Sequence, residues 1–426
     1  MNTYKFISPI LLVFLLFSIL LSHYFPIAES QDLTIKVNWR IHSNPTDSND
    51  IANAVCEAGD YIYVVGEQDQ SVARSDARIE MRFKSNGSLV KAWTSKGFSK
   101  LFDCVVTNNK LYVIGYPWDL LVFDLNLRLL SFERKFISYE NVFIASSIQA
   151  YDNHVYIGGT KITKANNFLW RIEKWRIENL TLVKGYTSEP SLGNGTVATI
   201  EVNPVTKQLW AGGVYYKEGK GLSFKVEILD LDLNPIKVIK KDDVGDAYAI
   251  SFDEEGNAYI GGYKFIAKYD KNGNEIKIKK VPYYVAKISY IKGYLFIGAT
   301  EDIQNLFRHV LYVYDKNLNQ IEKIVLSLDI NEDSELYPGK MIFDGKNLYI
   351  AGYSYSGFDT EWVIYSISIS KSSLTTNPNT TTSLPTISPE EFNIMYLIIG
   401  IAIATAIVSI LIILIRRKLF KLPPIS

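Results

Sequence analysis

One short pattern of apolar and small residues returns throughout the region between the two ends of the chain. It consists of an apolar or small residue, an aromatic residue, another apolar residue and then small residues that end in glycine. Seven copies end at or next to Gly66, Gly115, Gly159, Gly213, Gly262, Gly298 and Gly352. With Ala299 taken as the end of the sixth copy, the spacings are 49, 44, 54, 49, 37 and 53 residues. Periods of about 40–50 residues are typical of β-propeller blades.

Each repeat contains the same order of short alternating strands and polar turns. The fifth repeat shows it most plainly, with predicted strands at 247–252, 258–263, 265–270 and 275–280. Helical periodicity is absent from this part of the sequence. Four strands in each of seven repeats predict an all-β, seven-bladed β-propeller over residues 31–370, which leaves only short sheet edges exposed.

The repeated glycine and aromatic positions have a mechanical explanation. A tight strand exit near the propeller axis needs either a positive φ or a close approach of two backbones, and glycine permits both. The aromatic residue three places before most of these glycines is expected to fill the space between neighbouring blades. The predicted core therefore includes Tyr63, Tyr112, Tyr156, Trp210, Tyr259, Phe296 and Tyr349.

The seventh repeat lacks a fourth strand, because residues 362–370 lead directly into a segment rich in Ser, Thr and Pro. Near the N-terminus, residues 33–39 alternate like a strand and end in Trp39, much as residues 89–93 end in Trp93. We therefore expect the N-terminal strand to complete the last blade and close the ring.

The two ends of the chain carry long apolar runs. Residues 6–21 follow Lys5 and precede the small residues around Ser30, which indicates a secretory signal over residues 1–30. The alternative is an uncleaved membrane anchor, and either one would export the propeller region. Residues 394–415 contain no charge and are followed by Arg416, Arg417 and Lys418. This pattern predicts a single transmembrane helix.

The cationic tail, residues 416–426, is expected to stay in the cytoplasm because basic residues favour that side of the membrane. The topology is then that of a type I cell-membrane protein with its propeller outside the cell. Residues 371–392 are dominated by Ser, Thr and Pro and are predicted to form a stalk. Sequons predict glycosylation at Asn86, Asn179, Asn194 and Asn379.

Composition limits the range of partners and cofactors. Lys and Arg total 45, as do Asp and Glu, so the sequence lacks the basic excess of a nucleic-acid-binding protein. Two cysteines are too few for a disulfide framework or a multi-cysteine metal centre. The preference for Ile, Tyr and Lys over Cys, Met and His suggests a thermophilic archaeal source.

An aromatic or apolar residue followed by aspartate recurs after the glycine pattern, at Phe123-Asp124, Leu229-Asp230, Tyr269-Asp270 and Tyr314-Asp315. With the aromatic-apolar-Gly-Gly ending, this resembles kelch-type propellers and related bacterial and archaeal surface propellers, over about residues 32–370. The tryptophan of kelch blades is mostly missing here, and the Gly-His and Trp-Asp pairs of WD-type repeats are also missing. The resemblance implies a fold and leaves the function open.

Candidate chemistry is sparse. Several kelch-fold enzymes hold copper with tyrosines and histidines, but His42, His154 and His309 are too dispersed to predict such a centre. The most metal-like segment has oxygen-bearing side chains at alternating positions, which would suit calcium: Asp329, Asn331, Asp333 and Glu335. Its sixth position is Ser334 instead of glycine, and a solvated acidic loop is the better interpretation. No other cofactor is expected.

Cys56 and Cys104 fall in the first predicted strands of the first two blades, which are neighbours around the channel. Export permits a disulfide between them, and the alternative is a pair of buried thiols.

The leading hypothesis from the sequence is a membrane-anchored surface binding or adhesion module for an extracellular protein or glycan. The alternative is an exported enzyme acting on carbohydrates or small molecules. Carboxylates from different blades could converge on the propeller axis for such an enzyme, although the sequence does not identify the pair.

Overall fold

The computed structural model describes residues 33–371, except 72–73, 136–137, 139–140, 190, 193–194, 218, 220, 243, 304–305, 327–336 and 357–358. Every regular element within these residues is a β-strand. The strands, in chain order, are β1 Leu33–Ser43, β2 Asp50–Ala58, β3 Tyr61–Ser71, β4 Arg74–Phe83, β5 Leu89–Ser95, β6 Leu101–Thr107, β7 Lys110–Gly115, β8 Asp119–Asp124, β9 Leu129–Arg134, β10 Asn141–Tyr151, β11 His154–Thr163, β12 Asn167–Arg176, β13 Thr181–Thr187, β14 Ser191–Leu192, β15 Thr196–Val202, β16 Leu209–Lys217, β17 Gly221–Leu229, β18 Pro235–Lys241, β19 Ala247–Phe252, β20 Ala258–Tyr269, β21 Glu275–Ile291, β22 Tyr294–Ile303, β23 Leu306–Asp315, β24 Gln320–Val325, β25 Tyr337–Phe343, β26 Asn347–Ser356 and β27 Asp359–Lys371.

These strands form six antiparallel sheets, which are the blades of a β-propeller. Four sheets follow the chain directly, as β2–β5, β6–β9, β10–β13 with β14 beside β12, and β15–β18. A fifth sheet contains the six strands β19–β24, and the sixth has the order β1-β27-β26-β25.

The expectation of seven separate blades is therefore wrong, because the fifth and sixth repeats share one sheet. Strand β20 pairs with β19 up to Gly262 and with β21 from Tyr263 onward. Strand β21 likewise continues from its pairing with β20 into its pairing with β22. The sequence that connects the fifth and sixth repeats lacks a polar linker. The strands therefore continue where a break between two blades was predicted.

The N-terminal strand completes the last sheet, as predicted. Strand β1 pairs antiparallel with β27, from Leu33 opposite Lys371 to Ser43 opposite Trp362. The Trp39 indole Nε1 donates a hydrogen bond to the Lys84 carbonyl oxygen at 3.0 Å, which joins the last blade to the first. The ring is thus closed by residues from both ends of the propeller region.

The first strands of the repeats contact one another in a closed ring around the axis. The order is β2, β6, β10, β15, β19, β21 and β25, which returns to β2, so the six-stranded sheet supplies two members. Each of these strands has a one-residue register shift against the strand that follows it in the chain, such as that between Ala247 and Ala249 in β19. The seven aromatic residues assigned to the core are all at most 1% exposed, which confirms their role.

The aspartates noted after the third strands stabilise tight turns. Asp270 Oδ1 accepts hydrogen bonds from the backbone N–H groups of Asn272 and Asn274, and Oδ2 accepts one from the Asn274 side chain. The turns that begin at Asp230 and Asp315 repeat this arrangement. Their function is structural, because the carboxylate satisfies turn N–H groups that would otherwise lack a partner.

Cys56 and Cys104 form a disulfide between β2 and β6, with their Cα atoms 6.1 Å apart. Both residues are buried, so the bond links two neighbouring inner strands within the core.

Among the described residues, no helix is long and apolar enough to cross a membrane. The predicted signal (1–30), transmembrane segment (394–415) and cytoplasmic tail (416–426) lie outside the described residues, as does the stalk beyond Lys371.

Candidate functional site in the axial cavity

A cavity of about 310 Å³ lies on the propeller axis, between the first strands of the repeats. Strands β6, β10, β15, β19, β21 and β25 all contribute to its wall. Hydroxyl groups and four charged side chains face this space, and the charged residues are Asp103, Glu201, Lys287 and Lys340. Each charged residue comes from a different strand, so the closed ring is what brings them together.

Asp103 and Lys340 form an ion pair across the ring. The Lys340 ammonium lies 3.1 Å from Asp103 Oδ1 and donates a second hydrogen bond to the Cys104 carbonyl oxygen at 2.8 Å. Asp103 also accepts hydrogen bonds from the backbone N–H groups of Cys104 and Ile148. These contacts fix both charges in position before any ligand arrives.

Fewer contacts hold the Glu201 side chain in place than hold those of Asp103 and Lys340. Its Oε2 accepts one hydrogen bond from the Gln149 side-chain amide at 2.7 Å. Burial raises the pKa of Glu201 to about 7, and the nearby Asp103 charge acts in the same direction, while Lys340 and Lys287 oppose it. This carboxyl group therefore changes its protonation state near neutral pH.

Lys287 projects into the same cavity from β21. Burial lowers the pKa of its ammonium group, and Asp103 and Glu201 counteract this in part. Within the described part of the chain, its Nζ forms neither a hydrogen bond nor a salt bridge. Lys287 consequently offers a hydrogen-bond donor to whatever enters the cavity.

The charge balance of the cavity depends on Glu201. With Glu201 protonated and both lysines charged, the four groups carry a net charge of about plus one, because only Asp103 remains negative. Net positive charge in a confined cavity of low polarisability favours a small anion. Glu201 and Lys287 can also exchange protons, because two partly buried groups with oppositely shifted pKa values are suited to general acid–base chemistry.

The residues proposed from the sequence as metal ligands do not contribute to this site. Asp329, Asn331, Asp333 and Glu335 lie outside the described residues. Among the residues that are described, no cluster of three or more His, Cys, Asp or Glu side chains could hold a metal ion.

The three histidines of the propeller region occupy strands of different sheets, β1, β11 and β23. His42 Nδ1 lies 2.5 Å from Glu361 Oε1, whereas His309 is fully buried, and burial lowers the pKa of its imidazole to about 3.

Two predicted glycosylation sites lie in exposed turns. Asn86 follows β4 and Asn179 follows β12, and both side chains are exposed. In each turn the asparagine Oδ1 accepts hydrogen bonds from the Ser or Thr two residues later. Asn194 and Asn379 lie outside the described residues, so glycosylation stays a prediction at all four sites.

Sequence reasoning did not identify the four charged residues of the cavity. A signal was present, because each interrupts a first strand that is otherwise mostly apolar or small, as in LFDCVVT for Asp103 and TVATIEV for Glu201. Their convergence was not predictable, because their sequence separations reach 237 residues and only ring closure sets the distances between them.

Comparison of the sequence with protein-family models and with curated proteins finds no match. Solved structures with a similar fold include the Neurospora crassa Pan2 WD40 domain, at 9% identity and a TM-score of 0.54, covering 80% of this chain and 96% of that one. The WD40 propeller domain of Doa1 has 11% identity and a TM-score of 0.52, with 78% and 97% coverage. Raptor of Chaetomium thermophilum has 11% identity and a TM-score of 0.53, with 76% and 30% coverage.

These similarities show that the chain contains an all-β propeller. At such low identity they show the fold alone. The Pan2 and Doa1 domains are WD40 propellers, so the resemblance to kelch repeats is supported only at the level of the propeller fold.

Proposed function

We propose that this chain is a membrane-anchored binding protein whose propeller stands outside the cell and holds a small organic anion in its axial cavity. The observation that carries the proposal is the placement of Lys287. Its ammonium group faces the cavity without a bonding partner among the described residues, beside the fixed Asp103–Lys340 pair. A carboxylate ligand would supply the missing acceptor.

The size and shape of the cavity support a small ligand. A volume of about 310 Å³ is at the lower end of the range of roughly 300–1,000 Å³ found for small-molecule sites. Rigid strands surround it, so little ordering of the protein is required on binding. A role in adhesion would use the outer faces of the same propeller, through an extracellular protein or glycan.

The membrane part of the proposal rests on the sequence. The uncharged run at 394–415, the basic residues after it and the apolar N-terminal run together favour export and anchoring.

Isothermal titration calorimetry of the full chain in detergent, with succinate as the probe, tests the binding proposal. We expect saturable binding at pH 6.5 that weakens at least about tenfold in Lys287→Met, because the ligand loses its main cation. Lys271→Met is the matched control, since Lys271 is exposed in a turn and does not line the cavity. Absence of succinate binding, or equal loss in both variants, would contradict the proposal.

An exported enzyme is the second candidate, favoured by the opposite pKa shifts of Glu201 and Lys287. Such a pair could donate and accept a proton during hydrolysis or elimination. A panel of chromogenic glycosides and esters, assayed with the full chain and with Glu201→Gln, separates the two functions. Turnover that disappears in Glu201→Gln would favour the enzyme over the binding protein.

A further inference from the structure

A second cavity, of about 590 Å³, lies where the fifth and sixth repeats share a sheet. We call it the notch and define it by Tyr263, Lys264, Tyr284, Thr300, Asp302 and Phe307. Tyr263 pairs directly with Tyr284, and Tyr284 pairs with Thr300, so three of these side chains form one row across β20, β21 and β22. The notch shares no residue with the axial cavity.

Half of the residues that define the notch are aromatic, and one of these side chains is open to solvent. Tyr263 is 53% exposed, an unusually large fraction for a tyrosine in a strand. The Lys264 ammonium lies 5.1 Å from the centre of its ring. The ammonium therefore lies over the Tyr263 ring, and the exposed ring combines apolar surface with a nearby positive charge.

The wall behind Tyr263 is fixed by other aromatic contacts. The Tyr284 ring packs edge-on against Tyr248, with the ring centres 5.2 Å apart. The neighbouring Tyr283 is stacked on Tyr312 at 4.1 Å, and its hydroxyl lies 2.5 Å from that of Tyr314. A wall held in this way loses little conformational freedom when a ligand binds, which favours affinity.

The shape and charge of the notch limit the classes of ligand that it can bind. It is concave and has the volume of a small-molecule site, whereas a protein partner requires a contact of about 800 Å² on each side. Lys264 and Asp302 carry opposite charges, so the notch has no excess of cations for a phosphate or another polyanion. These same polar groups at its edge disfavour a purely apolar ligand.

We propose that the notch binds a neutral saccharide, with the apolar face of one sugar ring stacked on Tyr263. A pyranose ring presents C–H groups on its face and hydroxyl groups around its edge. This distribution matches an exposed tyrosine ring in a notch that also contains an ammonium and a carboxylate group. The inference extends the proposed function, because it adds a ligand class and a site separate from the axial cavity.

Titration of the full chain with cellotetraose, maltotetraose and an N-acetylglucosamine trimer tests this proposal. The protein is kept in a detergent that has no sugar headgroup, because such a headgroup would compete. We expect at least one of the three to bind, and Tyr263→Ala to weaken that binding at least about tenfold by removing the stacking surface. Tyr263→Phe keeps the ring and is expected to stay within about twofold of the parent chain.

The matched control is Tyr216→Ala, which removes a 38% exposed tyrosine from strand β16, outside the notch. It is expected to leave saccharide binding unchanged. Failure of all three saccharides to bind at about 10 mM, or equal binding by Tyr263→Ala and the parent chain, would overturn the proposal.

Two further outcomes separate this proposal from others. Preference for an acidic oligosaccharide such as trigalacturonate over the neutral ones would overturn the assignment of ligand class. Succinate binding, measured in parallel, is expected to be the same in Tyr263→Ala as in the parent chain. Loss of saccharide binding by Tyr263→Ala, with succinate binding unchanged, would therefore show that the notch binds saccharides independently of the axial cavity.

Discussion

In the first five repeats, the glycine that ends the pattern lies against a backbone carbonyl of the inner strand of its own sheet or of the residue directly before that strand. A Cβ atom added to Gly262 would stand 1.5 Å from the Asp246 carbonyl oxygen, and one added to Gly66 would stand 2.0 Å from that of Ile51. Neither glycine has a positive φ, so close approach is the reason for glycine here. The sixth repeat is the exception, because Ala299 occupies the aligned position opposite Val285.

This close approach predicts a large effect of a single methyl group. Gly262→Ala should lower the free energy of unfolding by about 3 kcal/mol or more, because the Asp246 carbonyl, directly before the inner strand β19, must move. The control is Gly97→Ala, where the nearest atom outside the adjoining residues is 3.6 Å from the added Cβ. Denaturant unfolding curves of the two variants provide the measurement, and equal losses would contradict the explanation.

Glu201 should make the stability of the propeller depend on pH. Its pKa is raised in the folded protein to about 7, from 4.5 in an unfolded chain, so the folded state binds the proton more tightly. The resulting stabilisation is complete below about pH 4.5 and is lost as the pH rises through 7.

The comparison of melting temperatures between pH 5 and 8 tests this dependence. Glu201→Gln should flatten the decline over this interval, whereas Glu133→Gln, at an exposed position, should follow the parent chain. If Glu201→Gln declines as steeply as the parent protein, another group is responsible.

At the scale of the strands, the closing strand β1 is attached mainly by its ladder with β27 and by a few side chains. Trp39 contributes its hydrogen bond to Lys84, and its ring centre lies 6.1 Å from that of Tyr349. Val37, two residues earlier on the same strand, is 41% exposed. The two residues thus offer a matched comparison within one element.

Trp39→Ala should lower the free energy of unfolding by about 2 kcal/mol, less than for a fully buried tryptophan because Trp39 is only partly buried. Val37→Ala should change it by about 0.5 kcal/mol or less. Thermal and denaturant unfolding of the full chain gives both values. A Trp39→Ala variant as stable as Val37→Ala would mean that β1 does not hold the ring closed through this contact.

The strand pattern was predictable where polar turns separate apolar runs. The polar turn DEEGN, at 253–257, lies between β19 and β20, and the turn KNGN, at 271–274, lies between β20 and β21, as the strand pattern predicts. The continuous sheet through β20 and β21 was not predictable, because periodicity shows where a strand alternates but not which partner it pairs with. The segments 67–77, 214–223 and 353–361 follow the repeat glycines and lie largely within paired strands, although the repeated pattern alone does not indicate how far these strands extend.

For the whole molecule, the predicted topology places the propeller and both proposed ligand sites outside the cell. The prediction depends on the uncharged run at 394–415 and on the basic residues directly after it.

Protease added to intact cells should release the propeller region and leave an epitope placed after residue 426 protected. The control is the same digestion after the cells are permeabilised, which should remove the epitope as well. Protection of the propeller with loss of the epitope from intact cells would reverse the assigned orientation.

If the axial cavity binds a small anion through Lys287, the protonation of Glu201 should change on binding. An anion stabilises the charged lysine and the protonated carboxyl group, so binding near pH 7 should take up protons. Calorimetry with succinate at pH 7, in two buffers that differ in ionisation enthalpy, measures this uptake directly. We expect net proton uptake by the parent chain and a smaller uptake by Glu201→Gln. Proton release by the parent chain, or equal uptake by both proteins, would show that Glu201 does not set the environment of the bound anion.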